Sequence, residues 1–529
     1  MAKVALIGLD GMTFHLIRPL VNEGKLPFIK KLLDDGVSAN LISTENPVTP
    51  AAWVSMYTGK DPAIHGVFDF MHPVDGAEYP SLRFTDSRTI NADTVWDIAT
   101  QQGACSVSLN FFGMAPPREI NGFTLGGFVP WKHLRVNTFP QNYFDELKGY
   151  LGEDVKILGM DISEEKKIVS GLPLSAFGGW VEHHSHRNSV ITKTALNLHA
   201  EFNPDIFSVV YDGPDKIQHI FWRFLDPDIY PQYQSSENDS IREKCINHYV
   251  QLDRDIELLA ETLGPSCNLI LASDHGFGPT TEIIYVNQLL QQLGLLTWGS
   301  SSTEDVDGGL APKKLKDHMS MIDWLNTQVY APTPSGNALY LTPHFRQSLS
   351  TESQYQDFID SLVDNLESAV DKHGSPLFTK VTANWERYYQ KECSANAPDI
   401  ILRLRDGGFV SVLKSTDVQT LRSDPEGTHR PEGIFVGYGP AFCKDNQLDT
   451  SLPITCITPL MLAIAGLSIP NDLSTTLPLQ VLNPDFPVDD VKYHDPIANT
   501  SGREQSAAMQ NHLDIDILTE QLKTLGYME

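Results

Sequence analysis

Cysteine is scarce in this chain, and what there is lies scattered. Six residues (Cys105, Cys245, Cys267, Cys393, Cys443 and Cys456) stand among 529, and no two have the C-x-x-C spacing. That argues against a disulfide framework and against a cysteine-based zinc site. Long apolar runs are lacking too. None approaches the ~20 residues that span a bilayer, so no membrane span is expected. The opening residues, "MAKVALIGLDG", have neither the longer apolar stretch nor the small-residue cleavage site of a secretory leader. They read as a first β-strand, and the protein as cytoplasmic. Positive charge is short as well: 39 Lys and Arg face 67 Asp and Glu, a net charge of −28. Such a surface repels DNA, RNA and anionic membranes unless a local basic groove intervenes, and no basic cluster supplies one. A nucleic acid polymer is therefore not an expected partner, and an anionic ligand would need cations at its site. Two phosphate-binding fingerprints are missing. There is no G-x-G-x-x-G, and "TGKDP" lacks the glycine spacing and the hydroxyl after Lys60 that a P-loop requires. Internal repeats and long low-complexity tracts are absent.

What is present is an ordinary globular composition, 41% apolar and 20% charged. The length admits about three or four domains, or one large α/β domain with insertions. Short β-branched runs end at Gly or Asp: "KVALIGLDG" (3–11), "IFSVVYDGPD" (206–215), "NLILASDHGFG" (268–278) and "GIFVGYGP" (433–440). Helical patterns alternate with them at 187–202 and 241–264, the second carrying Ile246, Val250, Leu252, Ile256 and Leu259 at helical spacing. Continuous apolar strands between amphipathic helices predict an α/β fold, its mostly parallel sheet covered by helices on both faces. Ligands of such sheets sit beyond the carboxyl ends of the strands. Three of the strands run there into acidic residues: Asp10, Asp212 with Asp215, and Asp274. Residues 285–395 have weaker periodicity and read as an inserted or cap region. The core is then 1–284 with 396–484, and 485–529 reads as a linker and final helix.

Several residues are suited to hold a cation. Asp215 and His219 in "DGPDKIQH" are four apart and share a face if helical. Carboxylate plus imidazole at that spacing makes a metal half-site, or a plain exposed charge pair. Asp274 and His275 in "SDHGFG" could serve one ion only if the strand has already ended, a freedom that Gly276 and Gly278 supply. Asp10 in "GLDG", taken alone, reads rather as a turn residue or a helix cap. His429, in "EGTHRPEGIF", sits in a loop before an apolar strand, where a lone histidine is more often structural. His183, His184 and His186 in "VEHHSH" lack a clear carboxylate partner and are read as surface or pocket-rim residues. Thr49 precedes Pro50, a residue favoured at the first helical position, which predicts Thr49 as an N-cap. Its alternative use is as a nucleophile. A helix N-terminus offers N–H groups to a phosphate, and a hydroxyl beside a divalent cation can ionise.

Taken in order, "GLDG", "TPAAWVSMYTGKDPAIHG", "DGPDKIQH", "SDHGFG" and "GTHRPEGIF" resemble the alkaline phosphatase superfamily, in its type I phosphodiesterase/nucleotide pyrophosphatase branch. The likeness spans about residues 1–290 and 395–475. It implies an alkaline-phosphatase-like core and a hydrolase of phosphodiester or pyrophosphate bonds acting on a phosphorylated small molecule. It implies two divalent metal ions, one held by Asp215, His219 and His429, the other by Asp10, Asp274 and His275 with Thr49. Thr49 would be the nucleophile and form a phosphothreonine. Mixed His/Asp ligation suits zinc, with manganese or iron as alternatives. One position departs. Where the nucleotide pyrophosphatases carry an Asn after the His-Gly step, this chain has Phe70, and Asn110 or Arg430 is the candidate substitute for binding a phosphoryl oxygen. Rival expectations are a phosphomonoesterase or phosphomutase on the same scaffold, and a catalytically inactive binding protein. A sulfatase is disfavoured, because no Cys/Ser-x-Pro-x-Arg motif is present.

Overall fold

A computed structural model of the chain describes residues 2–74, 80–160, 178–299, 319–383, 396–444 and 446–496. At its centre is a ten-stranded sheet. Five strands form its parallel heart, in the order Asn268–Ala272, Val4–Leu9, Ile206–Tyr211, Ser106–Phe111, Gly122–Gly126. The first four of these are buried along their whole length, as a sheet covered on both faces requires. Alternation divides their side chains between two cores. Val4, Leu6 and Ile270 face the core built with the Thr49–Thr58, Val95–Gln101 and Ile457–Ala465 helices. Ala5, Ile7, Val209 and Leu271 face the other, built with the Gly178–Phe202, Gly213–Leu225 and Ser236–Leu263 helices.

The strands and helices expected between residues 3 and 440 are there, with three differences. The strand Glu432–Tyr438 joins the sheet antiparallel to both its neighbours, Asn268–Ala272 and Val37–Ile42. Two helices are longer than their apolar pattern. One begins at Gly178 rather than 187, the other at Ser236 rather than 241. The second starts early because Ser235 caps it, accepting from Asn238 N–H, and its polar first turn carries no apolar period.

Beside the main sheet stands a smaller antiparallel one, in the order Val329–Tyr330, Ala338–Leu341, Ile400–Leu404, Phe378–Ala383. The Glu352–Glu367 helix buries Ile359, Leu362 and Leu366 in the same core as that sheet. Residues 485–496 carry a short helical turn and a strand, Tyr493–His494, paired with Ile469–Pro470. The expected final helix lies outside the described residues. Among the described residues, no helix is long and apolar enough to cross a membrane.

Candidate metal centre

The carboxyl ends of three adjacent parallel strands deliver the acids. Asp10 follows Leu9 directly, and Gly11 then turns the chain at φ 67° while its N–H donates to Asp274 Oδ1 at 3.1 Å. A Cβ on Gly11 would stand 3.0 Å from the Phe277 ring and 3.2 Å from the Asp215 Cα, so only glycine makes this turn without displacing the site. The strand Asn268–Ala272 stops two residues before Asp274, and the next begins at Gly276. Asp274 and His275 thus stand off-strand, free of the alternation that would separate them. The Gly213–Leu225 helix presents Asp215 and His219 on one face, Oδ1 to Nε2 3.5 Å. The strand Gln419–Arg430 brings His429, whose Nε2 lies 3.1 Å from Asp215 Oδ1 and 3.0 Å from His219 Nε2.

Six donors from four parts of the chain therefore converge. Two groups, Asp215/His275/His429 and Asp10/Asp274/His275, have ligand atoms all within 4.8 Å of one another. His275 belongs to both, its Nε2 3.2 Å from Asp274 Oδ2, 3.6 Å from Asp10 Oδ1 and 3.9 Å from Asp215 Oδ1. His219 joins the first through His429.

The electrostatics of the cluster suit cations. Asp10 Oδ1 and Asp274 Oδ2 are buried and accept no hydrogen bond. Burial, and then the charges of Asp274, Asp215 and Asp212, push the Asp10 carboxyl well above the ordinary range. Burial does the same to Asp274, against the Gly11 N–H that stabilises its charge. Burial would also raise Asp215, but the His219 and His429 imidazoles hold it far below. Burial, with His429 adding to it, keeps His275 neutral, and burial brings His429 to about 4 despite Asp215. Each imidazole sets its Nδ1 against a backbone carbonyl: His219 on Gly427 (3.2 Å), His275 on Gly276 (3.1 Å), His429 on Pro47 (2.7 Å). A carbonyl can only accept, so Nδ1 carries the proton and Nε2 keeps its lone pair for a ligand bond. Three carboxylates and three such imidazoles are a fitting donor set for divalent cations.

Thr49 stands at this cluster, its Oγ1 3.3 Å from His275 Nε2. It is not an N-cap. The helix spans Thr49–Thr58, Val48 is its cap residue, and Thr49 and Pro50 are the first two helical positions. Val48 C=O already accepts from Ala52 N–H, which starts the helix one residue earlier than the proline alone suggests. At the other end Gly59 closes the helix at φ 66°, and the exit loop is pinned by the Lys60–Asp472 ion pair and the Ser474 N–H on Gly59 C=O.

The family model for type I phosphodiesterase/nucleotide pyrophosphatase matches residues 4–432. The chain belongs to that family. This phosphodiesterase-family protein is thus a phosphohydrolase of the alkaline phosphatase superfamily, and the family is metal-dependent. Its fold is similar to that of phosphonoacetate hydrolase from Sinorhizobium meliloti in complex with phosphonoacetate. The TM-score is 0.50 at 15% identity, covering 88% of this chain and 96% of that one. It is also similar to murine ectonucleotide pyrophosphatase/phosphodiesterase 5, with a TM-score of 0.51 at 15% identity, covering 91% and 100%. At such identities the likeness is one of fold alone. A comparison with curated proteins finds no match.

Other residues singled out in the sequence fall outside the donor cluster. Asn110, at φ 68°, donates from Nδ2 to Val210 C=O and accepts on Oδ1 from Arg187. The Arg430 guanidinium donates to the carbonyls of His429 and Pro279. Both heads are engaged by the protein itself. Phe70 is buried edge-on against Phe112, ring centroids 5.3 Å apart, with Phe128 at 6.0 Å. Of the "VEHHSH" histidines, His186 is exposed, but His184 is buried under Trp180, centroids 4.1 Å apart, so it is no surface residue. Burial lowers its pKa well below the usual value.

Sequence reasoning missed two supports. Trp53 donates from Nε1 to Asp10 Oδ2 at 3.3 Å. It is four residues after Thr49 and so on the same helical face, a spacing that could have revealed it. The buried Arg187 holds Asp212 (Nε to Oδ1 3.0 Å), a long-range pairing with no sequence signal.

Proposed function

We propose that the protein hydrolyses phosphodiester or pyrophosphate bonds of a phosphorylated small molecule through a phosphothreonine formed on Thr49. The observation that carries this is the Thr49 hydroxyl beside His275, the residue common to both donor groups. In this reading Asp215, His219 and His429 would hold one divalent ion. Asp10, Asp274 and His275, with Thr49 Oγ1, would hold the other, and zinc suits the set best. Such ions, when bound, neutralise phosphoryl oxygens and favour an ionised hydroxyl.

The chain supplies the rest. The start of the Thr49 helix turns positive potential toward the phosphate. The Thr49 Oγ–P bond forms as the bond from phosphorus to the leaving oxygen breaks, and the hydroxyl proton passes to solvent. Water then adds at phosphorus, the Oγ–P bond breaks, and Thr49 regains its proton as the phosphate monoester leaves. In the same reading the described residues between 285 and 383 belong to a cap beside this site. The experiment is turnover of bis-p-nitrophenyl phosphate against p-nitrophenyl phosphate with Zn²⁺ or Mn²⁺ added. The diester should be preferred, and Thr49→Ala should lower its turnover at least about 1,000-fold. A preference for the monoester would reassign the chain as a phosphomonoesterase or phosphomutase. Undiminished turnover in Thr49→Ala would remove the covalent step.

A further inference from the structure

Three residues before Thr49, the chain is gripped by a part of the molecule almost 300 positions away. Asn46 is buried, and its carboxamide is used at both ends. Nδ2 donates to the carbonyls of Ser335 (2.7 Å) and Gly336 (2.9 Å), and Oδ1 accepts from Asn337 Nδ2 (3.2 Å). The neighbouring Glu45 meets Lys380 at 2.9 Å and Arg403 at 3.2 Å.

The gripping loop is itself fixed. Thr333 Oγ1 and Ser335 Oγ donate to the buried Asp69 carboxylate at 2.5 and 2.7 Å. Asn337 adopts φ 46°, donates to Gly408 C=O and accepts from Val410 N–H. Asparagine tolerates that left-handed backbone, and a Cβ on Gly336 would meet Thr333 Oγ1 at 3.0 Å and Asp69 Oδ2 at 3.1 Å.

From this fixed point the geometry runs straight to the site. Asn46 C=O accepts from both Thr44 Oγ1 (2.6 Å) and Val48 N–H (2.8 Å), which folds a tight turn over Pro47. Pro47 C=O is the acceptor for His429 Nδ1, and Val48 is the cap residue of the helix that begins at Thr49. A shift of Asn46 therefore moves an acceptor that orients one imidazole and the backbone that aims the hydroxyl. We propose that Asn46 is a positioning residue for both His429 and Thr49, and that the 333–337 loop acts as a stationary buttress for the turnover site. This rests on the reading of Thr49 as nucleophile, but its metal half does not need turnover.

The test is Asn46→Ala in the full chain, with kcat, KM and zinc retention against a chromophoric chelator measured beside wild type and Thr49→Ala. Loss of an orienting partner of a metal-binding imidazole typically costs 10–100-fold. The expected result is a kcat lower by about 10–100-fold, a KM within about threefold, and zinc retention weakened by a comparable factor. Both kcat and zinc retention within twofold of wild type would overturn the proposal. So would a raised KM at unchanged kcat, which would put Asn46 on the substrate instead. Should Asn46→Ala fail to fold by circular dichroism, Thr44→Val decides with the same readouts. It removes one hydroxyl from the turn, and about a two- to tenfold loss in kcat and zinc retention is expected. No change there overturns the proposal. If Thr49→Ala keeps wild-type turnover while Asn46→Ala still loses zinc, the nucleophile reading fails and the His429 half of the inference stands.

Discussion

Asp69 offers a measurement on the buttress that needs no substrate. The carboxylate is buried, and burial raises its pKa from 3.8 to about 6, against the hydrogen bonds from Thr333, Ser335 and the Phe70 amide. A folded-state value above the unfolded one means stability present at low pH and lost as pH rises through 6. At pH 5 the folded side chain is about nine-tenths protonated while the unfolded one is almost wholly ionised, so proton uptake favours the fold by about 1.4 kcal/mol. At pH 7.5 that contribution is gone. Asp69→Asn keeps the shape and cannot titrate. Its Oδ1 still accepts from Ser335 and Phe70, and its Nδ2 can donate to a turned Thr333 hydroxyl. Urea unfolding of both proteins at pH 5 and pH 7.5 isolates the difference. Relative to wild type, the variant should gain about 1.4 kcal/mol between the two pH values, tenfold in the unfolding equilibrium. A gain below about 0.4 kcal/mol would mean that Asp69 is ionised at pH 5, and the account of its burial would be wrong.

Other perturbations address the site and its supports. His429→Ala should lose bound metal on metal analysis, and Asp274→Ala likewise; full occupancy in both would contradict the proposal that they are ligands. Gly8→Ala would set a Cβ 2.5 Å from the Trp53 ring and 2.9 Å from Val210. Overpacking of that kind costs about 1–3 kcal/mol and here displaces the donor to Asp10, so stability and metal content should fall together. An unchanged midpoint in thermal unfolding would show that Trp53 gives way freely. Burial would raise Asp212, but Arg187 and Lys216 bring it to about 2. Arg187→Met leaves that charge with Lys216 at 3.8 Å as its remaining cation and should cost about 3–5 kcal/mol in urea unfolding. A loss under 1 kcal/mol would show that the carboxylate finds water.

Most of the candidate donors were legible because they stand at punctuation marks or share a helical face. Asp10 and Asp274 end apolar strands at glycine-containing turns, and Asp215 and His219 share a helical face. His429 was legible only through the ordered set of motifs, since it lies within a strand rather than a loop. The direction of Glu432–Tyr438 could not be read, because a buried apolar strand has the same pattern whichever way it runs. The start of the Thr49 helix was misjudged by one position, because the turn at Asn46–Val48, closed locally by Thr44 and the Val48 amide, is also held by partners at 335–337 that no local pattern announces. Arg187 was invisible for the same reason. Its partners, Asn110 and Asp212, lie 77 and 25 residues away, and their pairing is a product of strand order.

The site is also a schedule. Its first donor is residue 10 and its last is residue 429, a span of 419 positions. A ribosome adding about 5–20 residues per second needs about 20–80 s to cross it. Throughout that interval the nascent protein carries Asp10, and later Asp215 and Asp274, with their last imidazole unsynthesised and the strand beside Asn268–Ala272 still missing. Completion therefore comes late, once the segment from His429 to Tyr438 is made and can pair between Val37–Ile42 and Asn268–Ala272, and any chain broken off before that point lacks a finished centre.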